Sequence, residues 1–272
     1  MVPTAGGMVS ADGVHARPGR REFRVDRVSE HVHFVHTQHV NWSIYAGPDG
    51  VTLIDSGFAG QRDLLAASLH SIGCRIEDVT AVLITHGHAD HLGGAAWLAS
   101  EFGTPVLAHP AEVPNVRRAV VQQAGVGDVL RHAWRPGVLR WSFEVLPLLE
   151  WKPRLGIPDA AAIPMRQGLA DVPGHPRVLL VDGHTTGHTA FGFEDEGVLV
   201  VGDALATRHR VSGIVGPQVL PAMFHHDPVR ARESLAEVRT SSSGVVLPGH
   251  GEAWIGPVDE AVDAALRAGS AW

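Results

Sequence analysis

Four apolar runs in this chain end on a carboxylate or an imidazole: VTLID at Asp55, AVLITH at His86, VLVVGD at Asp203 and GVVLPGH at His250. This pattern constrains the fold more than any other feature. Continuous apolar runs without polar alternation read as strands buried on both faces. If the ends of such strands gather on one edge, the polar residues there converge. Helical patterns separate the runs. RDLLAASLHSIG stops at Gly73, HLGGAAWLASEFG at Gly103, PVRARESLAEVR is amphipathic, and PVDEAVDAALRAG opens with Pro257 near its first turn. The expected architecture is α/β: two β-sheets packed face to face, with helices on both outer faces.

The rest of the chain fits around this frame. HVHFVH, WSIYAG, PVLAH, RVLLVDG and TAFGFED read as further strands, and a helix is expected from Pro110 to about Gln123. Residues 124–177 are rich in proline, carry Trp134, Trp141 and Trp151, and have poor periodicity. They read as a long irregular, cap-like insertion facing the substrate. Residues 1–21 are rich in small residues, Gly and Pro, and are expected to be a flexible lead-in. Residues 22–272 then form a single domain, a size that can bury a sizeable core.

Composition narrows the function classes. The net charge of −7 argues against a nucleic-acid binder, which would carry a basic stripe. The single cysteine, Cys74, allows no disulfide within the chain. No signal peptide and no apolar run long enough to span a membrane is visible, so a cytoplasmic protein is expected. Lys152 is the only lysine, and the abundance of Arg, Ala, Gly and Val suggests a GC-rich bacterial genome. The 18 histidines are the anomaly, and their spacing decides what they mean.

The stretch THGHADHLGG packs His86, His88, Asp90 and His91 into six positions. In an extended segment His86 and His88 point the same way. Gly93 and Gly94 lack side chains, which lets the start of the following helix lie close to a metal or to the sheet. Asp90 alone would serve as a helix N-cap, and any one histidine as a polar surface residue. Four such residues together fit a metal site better. One loop cannot complete two metal shells, since each zinc takes about four ligands. The missing donors stand in similar settings: His188 in HTTGHT, Asp203 after VLVVG, and His250 in LPGHGE.

With these residues the sequence resembles the metallo-β-lactamase-fold hydrolases, whose signature is His-x-His-x-Asp-His followed later by a His, an Asp and a His. The resemblance runs from about Phe23 to the last helix. It implies an αββα four-layer sandwich with the site at one edge. It assigns His86, His88 and His188 to a first metal, and Asp90, His91 and His250 to a second. It further implies that Asp203 bridges the two and that Asp55 supports the metal loops. The cofactor implied is Zn²⁺, two ions per chain, with iron or manganese as substitutes. A water held between the ions would attack as hydroxide, with Asp90 orienting it or handing a proton to the leaving group.

A carboxylate at Asp203 resembles the glyoxalase II and lactonase branches, whereas the metallo-β-lactamases proper lack it. The expected activity is hydrolysis of an ester-type bond, thioester or lactone, in a small acidic or apolar metabolite. The segment GDALATRHR has no tyrosine of the kind the lactonase branch carries, so the two bond types stay open. The alternatives are a mononuclear iron sulfur dioxygenase, a β-lactam hydrolase and a non-catalytic metal-binding protein. For substrate contacts, His39 and Trp42 sit at a hairpin end and are expected at the mouth. Arg208 follows Asp203 and could hold a substrate carboxylate, and His225 lies in MFHHDP. His184 reads as a partner of His188 or as a turn residue. The expected partner is a small molecule, with room for a homodimer, and neither nucleic acid nor membrane.

Overall fold

A computed structural model describes residues 22–149, 155–165 and 169–269. The lead-in 1–21 and Trp151 lie outside the described residues. The first sheet has seven strands in chain order: β1 (Phe23–Arg27), β2 (Val32–Thr37), β3 (Asn41–Gly47), β4 (Gly50–Ile54), β5 (Val79–Ile84), β6 (Val106–Ala108) and β7 (Ala161–Ala162). β1 to β4 form an antiparallel meander, and β4 to β7 run parallel. The second half of the chain supplies β8 (Arg177–Leu180), β9 (Thr189–Phe193) and β10 (Val198–Gly202). A separate hairpin of β11 (Ala206–Arg208) and β12 (Val215–Gln218) follows, then β13 (Val245–Pro248) and β14 (Trp254–Ile255). The second sheet has the order β14-β13-β10-β9-β8, with β10 and β13 parallel.

Side-chain alternation builds the layers. On β5, Ala81 and Leu83 pack between the sheets against Phe191, Phe193 and Val200, while Val82 and Ile84 face outward. That outer face is covered by α1 (Arg62–Ser71) and α2 (Ala89–Phe102) through Leu65, Leu69 and Leu92. On β10, Val198 and Val200 face the first sheet, and Leu199 and Val201 face α8 (Val258–Ala268). Strands buried on both faces explain the unbroken apolar runs, and the result is the αββα sandwich expected.

Three local expectations change. The helix expected over 110–123 is only α3 (Val113–Val116), and Arg118 already has a positive φ of 59°. The stretch 124–177 is not irregular throughout: it contains α4 (Val126–His132) and α5 (Val138–Val145). α5 turns Val138 and Val145 inward and leaves Leu139 and Phe143 exposed, and at eight residues between Pro136 and Pro147 it is too short to stand out in the sequence. The helix after Asp227 divides into α6 (Pro228–Glu233) and α7 (Leu235–Val238). Asp227 caps α6 by accepting the N–H groups of Val229 and Arg230 at 3.0 Å. Among the described residues no helix is long and apolar enough to cross a membrane.

Candidate metal centre

The parallel strands set the site. β4, β5, β10 and β13 end at one edge, and the residues just beyond them are Asp55, His86, Asp203 and His250. Asp55 adopts φ 61°, which turns its carboxylate across the strand ends. There it accepts the Thr85 N–H at 2.9 Å, the Thr85 hydroxyl at 2.7 Å and the His91 Nδ1–H at 2.8 Å. His88 is the N-cap of α2, so Asp90 falls in the first turn and is not the cap. Gly93 does its work against backbone, not metal: a Cβ there would meet the Ala59 nitrogen at 2.0 Å.

Two groups of donors result: His86, His88, His184 and Asp203, and next to them Asp90, His91 and His250. The Nε2 of His184 lies 3.2 Å from the Nε2 of His86 and 3.1 Å from the Nδ1 of His88. Asp203 faces both groups, with Oδ2 3.5 Å from His184 Nε2 and 3.1 Å from His250 Nε2, and Oδ1 3.6 Å from His91 Nε2.

The outer nitrogens show which way the inner lone pairs point. His88 Nε2–H donates to the Gln122 carbonyl at 2.7 Å, and His250 Nδ1–H donates to the His39 carbonyl. Thr85 spends its proton on Asp55, so its oxygen accepts the Nδ1–H of His86 at 3.0 Å. His225 Nε2–H donates to the Leu220 carbonyl at 2.9 Å, so its Nδ1 is left to accept the Nδ1–H of His184 at 3.1 Å. Every inner nitrogen of the first group is therefore a lone pair when its ring is neutral, and the three crowd one point. Nitrogen lone pairs at that spacing repel unless a cation lies between them. His91 Nε2 and Asp203 Oδ1 are buried without a hydrogen-bond partner, an arrangement costly for polar atoms that nothing else satisfies. The donor set fits divalent metal, with outer partners orienting each ligand.

Electrostatics agree. Burial, followed by the neighbouring imidazoles, holds His86 well below its ordinary value. Burial takes His88 down to about 4, and burial and the His88 ring hold His184 well below the usual range. Burial would also lower His91, but the carboxylates of Asp55, Asp90 and Asp203 outweigh it and raise His91 to about 10. Burial would raise Asp203, yet His250 and His91 hold it well below the usual carboxylate range. Buried carboxylates thus draw positive charge to this point, the role a bound cation would take over.

The structure corrects one assignment and relocates four others. His188 is not among the converging donors. Its Nε2 accepts the Asp203 backbone N–H at 3.0 Å and its Nδ1 faces the Val181 carbonyl at 3.2 Å. Both nitrogens are engaged, so His188 holds the backbone of Asp203, and His184 takes the donor position. The tripeptide Gly-His-Thr occurs twice, at 183–185 and 187–189, and only the turn between them decides which imidazole faces inward. Trp42 is a core residue, 2% exposed, whose indole donates to Ser68 Oγ at 3.2 Å. His39 contributes its carbonyl to His250, while its ring lies 3.7 Å from Glu144. Arg208 is exposed and points no charge into the cavity, and His225 orients His184.

Sequence reasoning missed Glu112. It is fully buried and accepts four hydrogen bonds. Oε1 takes the Gly87 N–H at 2.8 Å and Asn115 Nδ2 at 2.7 Å. Oε2 takes the Thr185 hydroxyl at 2.7 Å and the Gly187 N–H at 2.9 Å. One carboxylate thereby ties the loop carrying His86 and His88 to the turn carrying His184. No spacing rule exposes such a residue, because three of its four partners lie on loops 25 to 75 residues away and two of those are backbone groups.

A cavity of about 310 Å³ opens onto His88, Asp90, Asp203 and His250. Phe58, Val126, Trp141, Phe143, Leu146 and Phe224 supply much of its wall, and no Arg or Lys among the described residues lines it. The 124–149 stretch thus faces the cavity as an apolar helical wall.

A four-layer αββα sandwich with His and Asp donors gathered at the strand ends defines a metal-site scaffold. The chain belongs to the metallo-beta-lactamase superfamily, whose family model matches residues 37–250. "Probable metallo-hydrolase YybB" of Bacillus subtilis (strain 168) is 27% identical over 180 residues, 64% of this chain and 63% of that protein. The match therefore spans less than two thirds of that relative. "Probable metallo-hydrolase YflN" of the same organism is 26% identical over 217 residues, 75% of this chain and 76% of the relative. The crystal structure of a metallo-beta-lactamase family protein from Thermus thermophilus superposes with a TM-score of 0.55. It is 25% identical, and the match covers 83% of this chain and 72% of that one.

Proposed function

We propose that this chain is a two-metal hydrolase, most simply a zinc enzyme, that cleaves an ester-type bond, thioester or lactone, in a small apolar metabolite. The observation that carries the reading is the apolar cavity ending on two donor groups that share one carboxylate. His86, His88 and His184 would hold one ion; Asp90, His91 and His250 would hold the other, and Asp203 would serve both. Divalent ions bound there supply Lewis acidity and bring the pKa of a coordinated water towards about 7.

The chain's own residues do the rest. Asp203 sets the spacing of the two groups. The Asp90 side chain, 20% exposed at the cavity floor, is the donor best placed to pass a proton to a leaving oxygen or sulfur. The apolar wall displaces water and binds the non-reacting part of the substrate, which positions the scissile bond. A cavity without a lining cation favours the apolar metabolite over the acidic one. Two donor groups favour two ions over the single iron of a sulfur dioxygenase.

The test is metal content together with turnover on a panel of thioesters, lactones and a β-lactam. The reading expects about two zinc equivalents per chain and turnover on a thioester or a lactone. One iron per chain, or turnover confined to the β-lactam, would replace it. Two metals without turnover on any member would favour a binding protein.

A further inference from the structure

We propose that the substrate carries an unbranched apolar tail longer than the cavity encloses, and that the tail runs out between α4 and α5. The proposal rests on the hydrolase reading and deepens it. On α4 and the turn beyond it, Val126, Leu130 and Trp134 recur at helical spacing. Leu139, Phe143 and Leu146 do the same on α5 and the turn that follows. All six are solvent-exposed, from 48% for Leu139 to 77% for Val126. α5 already spends its other face on the interior through Val138 and Val145. These outward stripes are therefore extra apolar surface that folding does not require, and contiguous patches of this kind mark binding surfaces.

Continuity with the site selects the occupant. Val126, Leu130, Phe143 and Leu146 are exposed to solvent and also line the cavity that ends on Asp203 and His250. One apolar track thus leads from the donors to the outside. A group reaching the donors through this mouth must lie along those side chains. Of the cations beside the track, Arg131 and Arg140 are paired with Asp128 at 3.4 Å and Glu144 at 2.8 Å, and Arg135 stacks on the Trp134 ring at 4.7 Å. The track therefore suits an uncharged chain better than a lipid headgroup.

The experiment uses the zinc-loaded full chain and straight-chain thioesters from acetyl to dodecanoyl. kcat/KM should rise roughly two- to fourfold for each added methylene, the upper figure corresponding to about 0.8 kcal/mol of full burial. Calorimetry with straight-chain alcohols from butanol to decanol reads the same track without hydrolysis, and affinity should climb with length. Phe143→Ser and Leu130→Ser, at exposed positions, should flatten both slopes. Flat slopes in the unaltered protein, or slopes that neither variant changes, overturn the proposal. So does flat alcohol affinity combined with self-association, or with phosphatidylcholine vesicle binding, that Phe143→Ser abolishes. If no thioester or lactone turns over while alcohol affinity still climbs with length, the hydrolytic reading fails and the tail track stands.

Discussion

The donor ring and the α4–α5 wall face one cavity and are built by opposite means. In the ring, polar groups are buried and nearly every outer atom has a named partner: Asp55, Thr85, Glu112 and His225 each hold a ligand or its loop. In the wall, apolar groups are exposed, and α5 is anchored at Val145 and Trp141 against Val40 and Phe58. The ring is over-determined because metal ligation tolerates little displacement. The wall is loosely determined, and such a surface can change to suit a different substrate while the chemistry beneath it stays the same.

This contrast predicts a ladder of effects. Asp203→Ala stands at the top. Removing the carboxylate that both donor groups face should lower activity by at least about a hundredfold, more than is usual for a partner outside the ligand set. Metal analysis should show the Asp90, His91 and His250 group losing its ion first, since three imidazoles remain for the other. Near-normal turnover with both metals bound would mean that Asp203 is not shared.

Glu112→Gln comes next. An amide NH₂ would be set against N–H or O–H donors, and a buried mismatch of this kind costs about 1–3 kcal/mol of stability. Metal affinity should fall roughly 10–100-fold through misplacement of two loops. Chelator competition and urea unfolding measure the two effects separately. Unchanged affinity would reduce Glu112 to a local brace.

Acid should expose the ring more gently. Burial lowers His188 to about 3, and burial with the nearby His250 takes His209 to about 3. An unfolded chain takes up these protons near pH 6.5, and the folded chain does not until far lower. The stability these residues contribute is therefore full above about pH 6.5 and is lost as pH falls towards about 3. In metal-free protein, the unfolding free energy from urea titrations should drop between neutral pH and pH 5, by on the order of 1–2 kcal/mol per group. His209→Asn should flatten that dependence, whereas Phe143→Ser on the wall should leave it unchanged. A pH-independent midpoint would contradict the burial of these rings as neutral bases.

The smallest effects belong to the wall's aromatics. Trp134 is exposed, and its truncation to Ala should stay within about 0.5 kcal/mol. Trp141 packs on His209 and Phe224 with ring centroids 5.9 and 5.5 Å away, so Trp141→Ala should change substrate preference. Neither substitution should alter metal content. Loss of metal in Trp141→Ala would mean that wall and ring are one structural unit.

The ring was the more legible region. Buried strands that end in His or Asp announce both the sandwich and its edge, and the crowding of His86, His88, Asp90 and His91 suits little besides metal ligation. Legibility failed where a choice depended on a turn. His184 and His188 have the same neighbours in sequence, and only the fold shows that one faces the donors while the other holds the Asp203 backbone. It failed again for Glu112, whose four partners are scattered over 100 residues of chain. The wall was hardest to read because α4 and α5 are only 7 and 8 residues long and lie in proline-rich sequence, too short a window for a helical period to stand out. Arg208 follows Asp203 closely in sequence yet faces solvent, and Trp42 stands near a hairpin end yet turns its ring into the core, because neither position fixes the direction of the side chain.

The central claim is that His184, and not His188, completes the first donor group, and zinc stoichiometry in His184→Ala and His188→Ala tests it most directly. Dialysed against limiting free zinc, His184→Ala should retain about one equivalent where the unaltered chain retains about two. His188→Ala should retain about two, with lower thermal stability from the lost hydrogen bond to Asp203. A His184→Ala protein that keeps both ions, beside a His188→Ala protein that loses one, would contradict the account.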